Sequence, residues 1–192
     1  MKFSVPTIAT LVAAASAIPY TPPTDQPDGV YSVSFDGAGQ PVTRRLADPD
    51  VTAPELQTRD LPGAPVCTGR DIPQDGTYRH VQDCLGNWLN SYSGQFNTLD
   101  VGGDSLGQIL YCHYGDSLLA LCTYNSDPSF SKAKVYGSYD EINQFNVQMD
   151  NTCGAWKSGY IFIKDWNKTY WRTTWGEEVC GNIGDEYAKQ VY

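Results

Sequence analysis

Six cysteines constrain this chain more than any other feature, and all of them lie past residue 66: Cys67, Cys84, Cys112, Cys122, Cys153 and Cys180. In an oxidising compartment an even count of this kind implies a disulfide framework, and six cysteines allow 15 pairings. Metal binding would need close Cys-x-x-Cys or Cys/His pairs. The only tight neighbours are Cys112 and His113, which in a strand point to opposite faces. No metal site and no cofactor is expected.

The front of the chain points to the oxidising compartment. Lys2 is followed by an apolar run from Val5 through Ala15, and Ala15-Ser16-Ala17 offers small residues for a signal peptidase. Residues 1–17 therefore read as an export signal and the product as extracellular. The run is shorter than the roughly 20 residues that span a bilayer, and no later segment approaches that length, so no membrane span is expected. Residues 18–59 are rich in proline and small polar residues and read as a mostly disordered pro-segment. The dibasic pair Arg44-Arg45 and the single Arg59 supply processing points after Arg45 and Arg59. One stretch departs from disorder: Gly29 to Phe35 alternates apolar and polar residues as a strand would, and Asp36 to Gly39 would turn it.

Residues 60–192 are then one disulfide-stabilised domain of ordinary size. They carry 9 Lys+Arg and 16 Asp+Glu, a formal charge of −7. An acidic surface repels phosphate backbones and anionic lipid, so nucleic acid and membranes are poor partners.

Within this domain the clearest helix begins near Asp75 or Thr77, either of which can cap it. Tyr78, Val81, Cys84, Leu85, Trp88 and Leu89 recur at three- and four-residue spacing and form one apolar stripe. A second helix opens with Ser138 and Glu141 in capping-box spacing; Ile142, Phe145, Met149 and Cys153 share its stripe, and Gly154 stops it. Strands are expected over Gln95 to Val101, Gln108 to Tyr114, Ser117 to Tyr124 and Lys132 to Tyr136. Two more form a hairpin, Gly159 to Lys164 and Thr169 to Trp175.

Gly115-Asp116 makes a two-residue hairpin that sets Tyr114 opposite Ser117, Cys112 opposite Leu119 and Ile109 opposite Cys122. One face then carries Ile109, Tyr111, His113, Leu118, Ala120 and Cys122; the other carries Leu110, Cys112, Leu119 and Leu121. Both are apolar, so this hairpin should be covered on both sides. Cys112 and Cys122 point apart and should not bond to each other. The expected partner of Cys84 is Cys122. Together these elements predict an α+β two-layer sandwich, an antiparallel sheet of about five strands with two helices on one face.

Chemistry has few carriers. His113 sits near Asp116, Ser117, Asp104 and Ser105, so a hydrolase built on His113 with Asp116 or a nearby serine is one reading. Neither a Gly-x-Ser-x-Gly elbow nor His-Glu-x-x-His accompanies it. Glu177-Glu178, and Asp100 with Asp104, are paired carboxylates at spacings that surface charge alone produces. Glu141, His113 and Arg172 would suit a small ribonuclease only if one sheet face gathered them. The last hairpin is crowded with aromatics, and Trp166, Tyr170 and Trp171 are its candidate binding residues, with Trp166 in the turn. Asn167-Lys168-Thr169 is an N-glycosylation sequon in the same turn.

Three runs carry a resemblance: Gly115 through Cys122, Met149 through Gly154, and Gly159-Tyr160-Ile161 leading to Lys164-Asp165-Trp166. Over residues 67 to 182 the chain resembles fungal small secreted cysteine-rich proteins of the effector type, similar to the necrosis-inducing effector and smut-fungus killer-toxin superfamily. It departs from the toxin in being acidic and less cysteine-dense. The resemblance implies an α/β sandwich and a secreted role against a host or a competing microbe, and it carries over no catalytic residues. The leading expectation is thus a monomer that binds a host or competitor protein without catalysis. A small hydrolase using His113 and a wall-glycan binder using Trp166 and Tyr170 are the alternatives.

Overall fold

The structure, a computed structural model, describes residues 19–36, 38–50, 61–91, 95–97, 109–123 and 134–181, by backbone alone at 95–97 and 134–136. In chain order the elements are β1 (Gly29–Phe35), β2 (Pro41–Ala47), β3 (Pro65–Asp71), α1 (Thr77–Ser91), β4 (Gln95–Asn97), β5 (Ile109–Tyr114), β6 (Ser117–Thr123), β7 (Lys134–Tyr136), α2 (Tyr139–Cys153), β8 (Lys157–Ile163) and β9 (Lys168–Thr174). The main sheet has seven strands in the order β2-β1-β5-β6-β9-β8-β3, each neighbouring pair antiparallel. The short pair β4-β7 stands apart as a second sheet.

Both helices lie against one face of the main sheet, as expected for an α+β sandwich. The strand count is seven rather than about five, because three strands come from before the first helix. The first of these is the alternating run at Gly29–Phe35. It lies inside the sheet between β2 and β5, with Val30 and Val33 buried. The expectation that residues 18–59 are mostly disordered is therefore corrected for residues 19–36 and 38–50, while 51–59 lie outside the described residues. The proline-rich composition hid a strand pair whose first strand directs its few apolar residues inward, while Val42 on the second is exposed. Tyr20, Val30, Tyr31, Val33 and Phe35 are at most 6% exposed.

The β5-β6 hairpin has the expected register, with Tyr114 opposite Ser117, Cys112 opposite Leu119 and Ile109 opposite Cys122. Its two faces feed two separate cores. Leu110, Cys112, Leu119 and Leu121 meet the stripes of the two helices, including Val81, Cys84, Leu85, Leu89, Ile142, Phe145 and Met149. Ile109, Tyr111, Leu118, Ala120 and Cys122 face the other way, toward Tyr20, Tyr31, Val33, Tyr160, Trp171 and Val179. On that second face segments from both ends of the chain lie over the sheet; Tyr20 and Val179 bridge to each other through paired backbone bonds of 3.0 and 2.9 Å. We call it the strap face.

The disulfides follow from these two faces. Cys84 bonds Cys112, Cys122 bonds Cys180 and Cys67 bonds Cys153. The expected Cys84–Cys122 pair is thus wrong. Helix α1 covers the face that holds Cys112, whereas Cys122 opens on the strap face and takes Cys180 there. Among the described residues no cysteine is left free. Each such bridge stabilises a small extracellular domain by about 2–5 kcal/mol.

The helices are delimited as the sequence predicts. Asp75 Oδ1 accepts from the Thr77 amide at 3.1 Å ahead of α1. Ser138 Oγ accepts from the Glu141 amide at 3.2 Å, and Gly154 (φ +94°) ends α2. The Glu141 side chain does not close the capping box; it turns instead to β9. No helix among the described residues is long and apolar enough to cross a membrane.

Close approach of the helices depends on Gly86. A Cβ there would fall 2.1 Å from Tyr139 Cδ2. Gly86→Ala should lower stability by about 1–3 kcal/mol through overpacking, despite alanine's better helix propensity, as read by urea denaturation. Non-reducing peptide mapping should return Cys67–Cys153, Cys84–Cys112 and Cys122–Cys180; a Cys84–Cys122 peptide would contradict this sheet arrangement.

Candidate functional site

Among the described residues, three polar clusters hold the candidate residues His113, Glu141 and Arg172, and their placement decides what chemistry those residues can support.

The first surrounds His113 on the strap face. Strand β5 directs its ring between Trp175, stacked at 3.7 Å between centroids and 13° between planes, and Tyr31, stacked at 5.9 Å. The ring is almost wholly buried. Its Nε2 lies 2.7 Å from the Pro27 carbonyl oxygen. A carbonyl oxygen only accepts, so Nε2 carries the hydrogen. Nδ1 has no hydrogen-bond partner among the described residues and lies 3.4 Å from Asp28 Oδ1, whose carboxylate also accepts from the Gly115 amide at 3.0 Å. Burial lowers the His113 pKa below its usual value and outweighs the Pro27 carbonyl and the Asp28 carboxylate, which push the other way.

The carboxylate beside His113 is therefore Asp28, not Asp116. Asp116 sits exposed in the β5-β6 turn, where its backbone oxygen accepts from the Trp175 amide at 2.9 Å. Ser117 is buried, and its hydroxyl is bonded to Thr77 Oγ1 at 2.8 Å. Asp100, Asp104 and Ser105 lie outside the described residues. No serine is brought into a hydrogen bond with His113 among the described residues. Sequence reasoning missed Asp28 because it lies in the stretch whose composition reads as a pro-segment. The signal available was Pro27-Asp28-Gly29, a turn tripeptide at the head of the alternating run.

The second cluster joins α2 to β9 on the helix face. Lys168 and Tyr170 alternate inward on β9, and both donate to Glu141 Oε2, Tyr170 Oη at 2.6 Å. Lys168 is 2% exposed, and its ammonium also stands over the Trp166 ring at 4.7 Å. Tyr170 is held well above the usual phenol pKa by burial and by the Glu141 carboxylate.

The third cluster is Arg172 at the end of α2. Its Nε donates to the Lys157 carbonyl at 2.7 Å, Nη1 to Asp150 Oδ1 at 2.7 Å and Nη2 to the Gly154 carbonyl at 3.2 Å. A cation held against the last carbonyls of a helix offsets its negative end. Arg172 is thus a helix cap. Glu141 and Arg172 lie on the helix face and His113 on the strap face, so the ribonuclease-like trio is split by the sheet.

The aromatic candidates are placed differently from one another. Tyr170 is fully buried in the helix-side core. Trp171 points to the strap face, 8% exposed and stacked on Tyr160 at 4.3 Å. Neither is a surface contact, which corrects two of the three expected binding residues: strand β9 is third from the sheet edge and both its faces are covered. Trp166 lies in a 3-10 turn (Lys164–Trp166) and is half-buried. Asn167 follows in a left-handed conformation, with its amide bonded to the Lys164 carbonyl at 3.0 Å.

Glu177 of the paired carboxylates forms an ion pair with Arg70. Arg45 lies in β2, bonded through Nη2 to the Asp28 carbonyl at 2.8 Å and to Asp48 at 2.6 Å. Arg59 lies outside the described residues. No group of three or more metal-ligating side chains is gathered among the described residues. No protein-family profile, curated protein or solved structure matches the chain.

Two outcomes are expected. Because His113 binds its proton less readily when folded than when unfolded, stability should fall as pH drops below about 6.5, the unfolded imidazole value. His113→Phe, which keeps the stacking on Trp175, should show a smaller loss between neutral and mildly acidic pH in urea titrations. Separately, Glu141→Ala leaves Lys168 buried without its partner and should cost about 3–5 kcal/mol, measured in the same way.

Proposed function

We propose that this is an exported fungal protein of the effector or toxin-like kind, acting by binding a host or competitor protein rather than by catalysis. The observation that carries the preference for binding is the state of His113. Its Nε2 is committed to a backbone carbonyl, and its ring is enclosed between Tyr31 and Trp175. A general base must reach a substrate proton directly or through one water, and this imidazole is walled in. His80 is no better placed, with its ring edge-on to Tyr114 at 4.6 Å. Three disulfides fit an oxidising, extracellular setting.

The contact surface on this reading centres on the turn at Lys164–Trp166, where the last hairpin bends and Trp166 is the large aromatic. A glycan on Asn167 would border it. The position of Trp166 in a turn also keeps a wall glycan as the second reading, since aromatic faces stack on sugars.

The test applies purified secreted protein to plant tissue and to cultures of competing fungi. Cell death or growth arrest is expected, reduced about tenfold or more by Trp166→Ala and retained in His113→Phe. Loss of the effect in a folded His113→Phe variant, together with turnover of an extracellular polymer by the parent, would restore the hydrolase. Retention of the parent on chitin or glucan, lost in Trp166→Ala, would shift the target to the cell wall.

A further inference from the structure

The leader contains no cysteine, and every disulfide lies between Cys67 and Cys180. Residues 19–50 are therefore joined covalently to the stapled body only through residues 51–60. They are nonetheless built into it. Strand β1 pairs Gly29–Val33 with His113–Ile109 on one side and carries β2 on the other. Val30 enters the helix-side core, while Tyr20, Tyr31, Val33 and Phe35 enter the strap-side core.

Side-chain bonds add to the ladder. Tyr111 Oη donates to Gln26 Oε1 at 2.5 Å, and His113 donates to the Pro27 carbonyl. The Gly115 amide donates to Asp28 Oδ1 at 3.0 Å, and Asn87 Nδ2 donates to the Asp50 carbonyl at 3.0 Å. A segment that supplies an internal strand and residues to both cores does not leave when one peptide bond beyond it is broken.

We propose that a cut within residues 51–60, where Arg59 offers the basic site, converts the protein into two non-covalent chains. The leader segment 19–50 stays bound as a strand-pair subunit on β5. The stapled chain holds it along the strand edge Ile109 to His113, whose occupant is residues 19–50 of this chain. Gly29 sets one requirement on that occupant, because a Cβ there would meet the Ala47 carbonyl oxygen at 2.7 Å.

The experiment replaces residues 52–58 of the full chain with the recognition sequence of a site-specific protease and cuts the purified, folded protein. The two pieces should co-elute on gel filtration and separate on denaturing electrophoresis without reductant. Cut protein should take up a fluorescein-labelled synthetic peptide of residues 19–50. Uncut protein should take up at least tenfold less, because its tethered strap competes at millimolar effective concentration. A peptide carrying Val33→Pro, which removes a ladder donor inside β1, should not be taken up.

Immediate loss of the leader from a body that stays folded would overturn the proposal, as would failure of the pieces to separate in denaturant. Native mass spectrometry of the naturally secreted product reads the same point without the engineered site. A mass containing both pieces supports the two-chain form, and the body alone or a single uncut chain overturns it.

Discussion

A hairpin that is apolar on both faces cannot leave either face in water, and the rest of this fold answers that constraint. Strands β5 and β6 carry Leu110, Cys112, Leu119 and Leu121 on one side and Ile109, Tyr111, Leu118, Ala120 and Cys122 on the other. Burying an aliphatic side chain of this size is worth about 1.5–3 kcal/mol, so each face demands its own cover. The two amphipathic helices supply one cover. The other is assembled from pieces that do not look like a layer, the Tyr20 segment and the chain around Val179, with Tyr31, Val33 and Phe35 of β1 extending the same face of the sheet beside the hairpin. Each face is then fastened to its cover by a disulfide from the hairpin itself, Cys112 to α1 and Cys122 to Cys180.

Much of this was legible in the sequence because it depends on short-range periodicity. The stripes of both helices, the Ser138 cap, the Gly154 stop and the register across Gly115-Asp116 follow from spacing alone. The failures share a cause. Which face the helices cover is a long-range fact, and choosing it wrongly moved the Cys84 partner from Cys112 to Cys122. Average composition makes residues 18–59 look disordered, whereas the burial of this stretch depends on a handful of residues, Tyr20 and the Val30, Tyr31, Val33 and Phe35 of β1, set in a polar background. Averages hide such segments; alternation at Gly29–Phe35 disclosed one of them.

The candidate site shows the same division. His113 could be singled out by rarity, but its surroundings could not, since Pro27 and Asp28 lie far away in sequence and Trp175 at the end of β9. Lys168 and Arg172 are the two cations buried among the described residues, one answered by Glu141 and the other by the end of α2. Both link β9 to α2. The charges of this strand thus hold one layer to the other, while Tyr170 between them packs against Phe145 with ring centroids 5.8 Å apart.

The pairing of β2 with β1 also bears on the expected cut after Arg45. Arg44 and Arg45 stand opposite Ser32 and Tyr31 in the ladder, and the Arg45 guanidinium is engaged by Asp28 and Asp48. An endoprotease threads an unpaired, extended backbone through its cleft, and a strand locked to its neighbour offers none. Any cut at the dibasic pair would therefore have to precede closure of the sheet or follow its opening. Folding speed would then be the clock that determines whether this bond is broken.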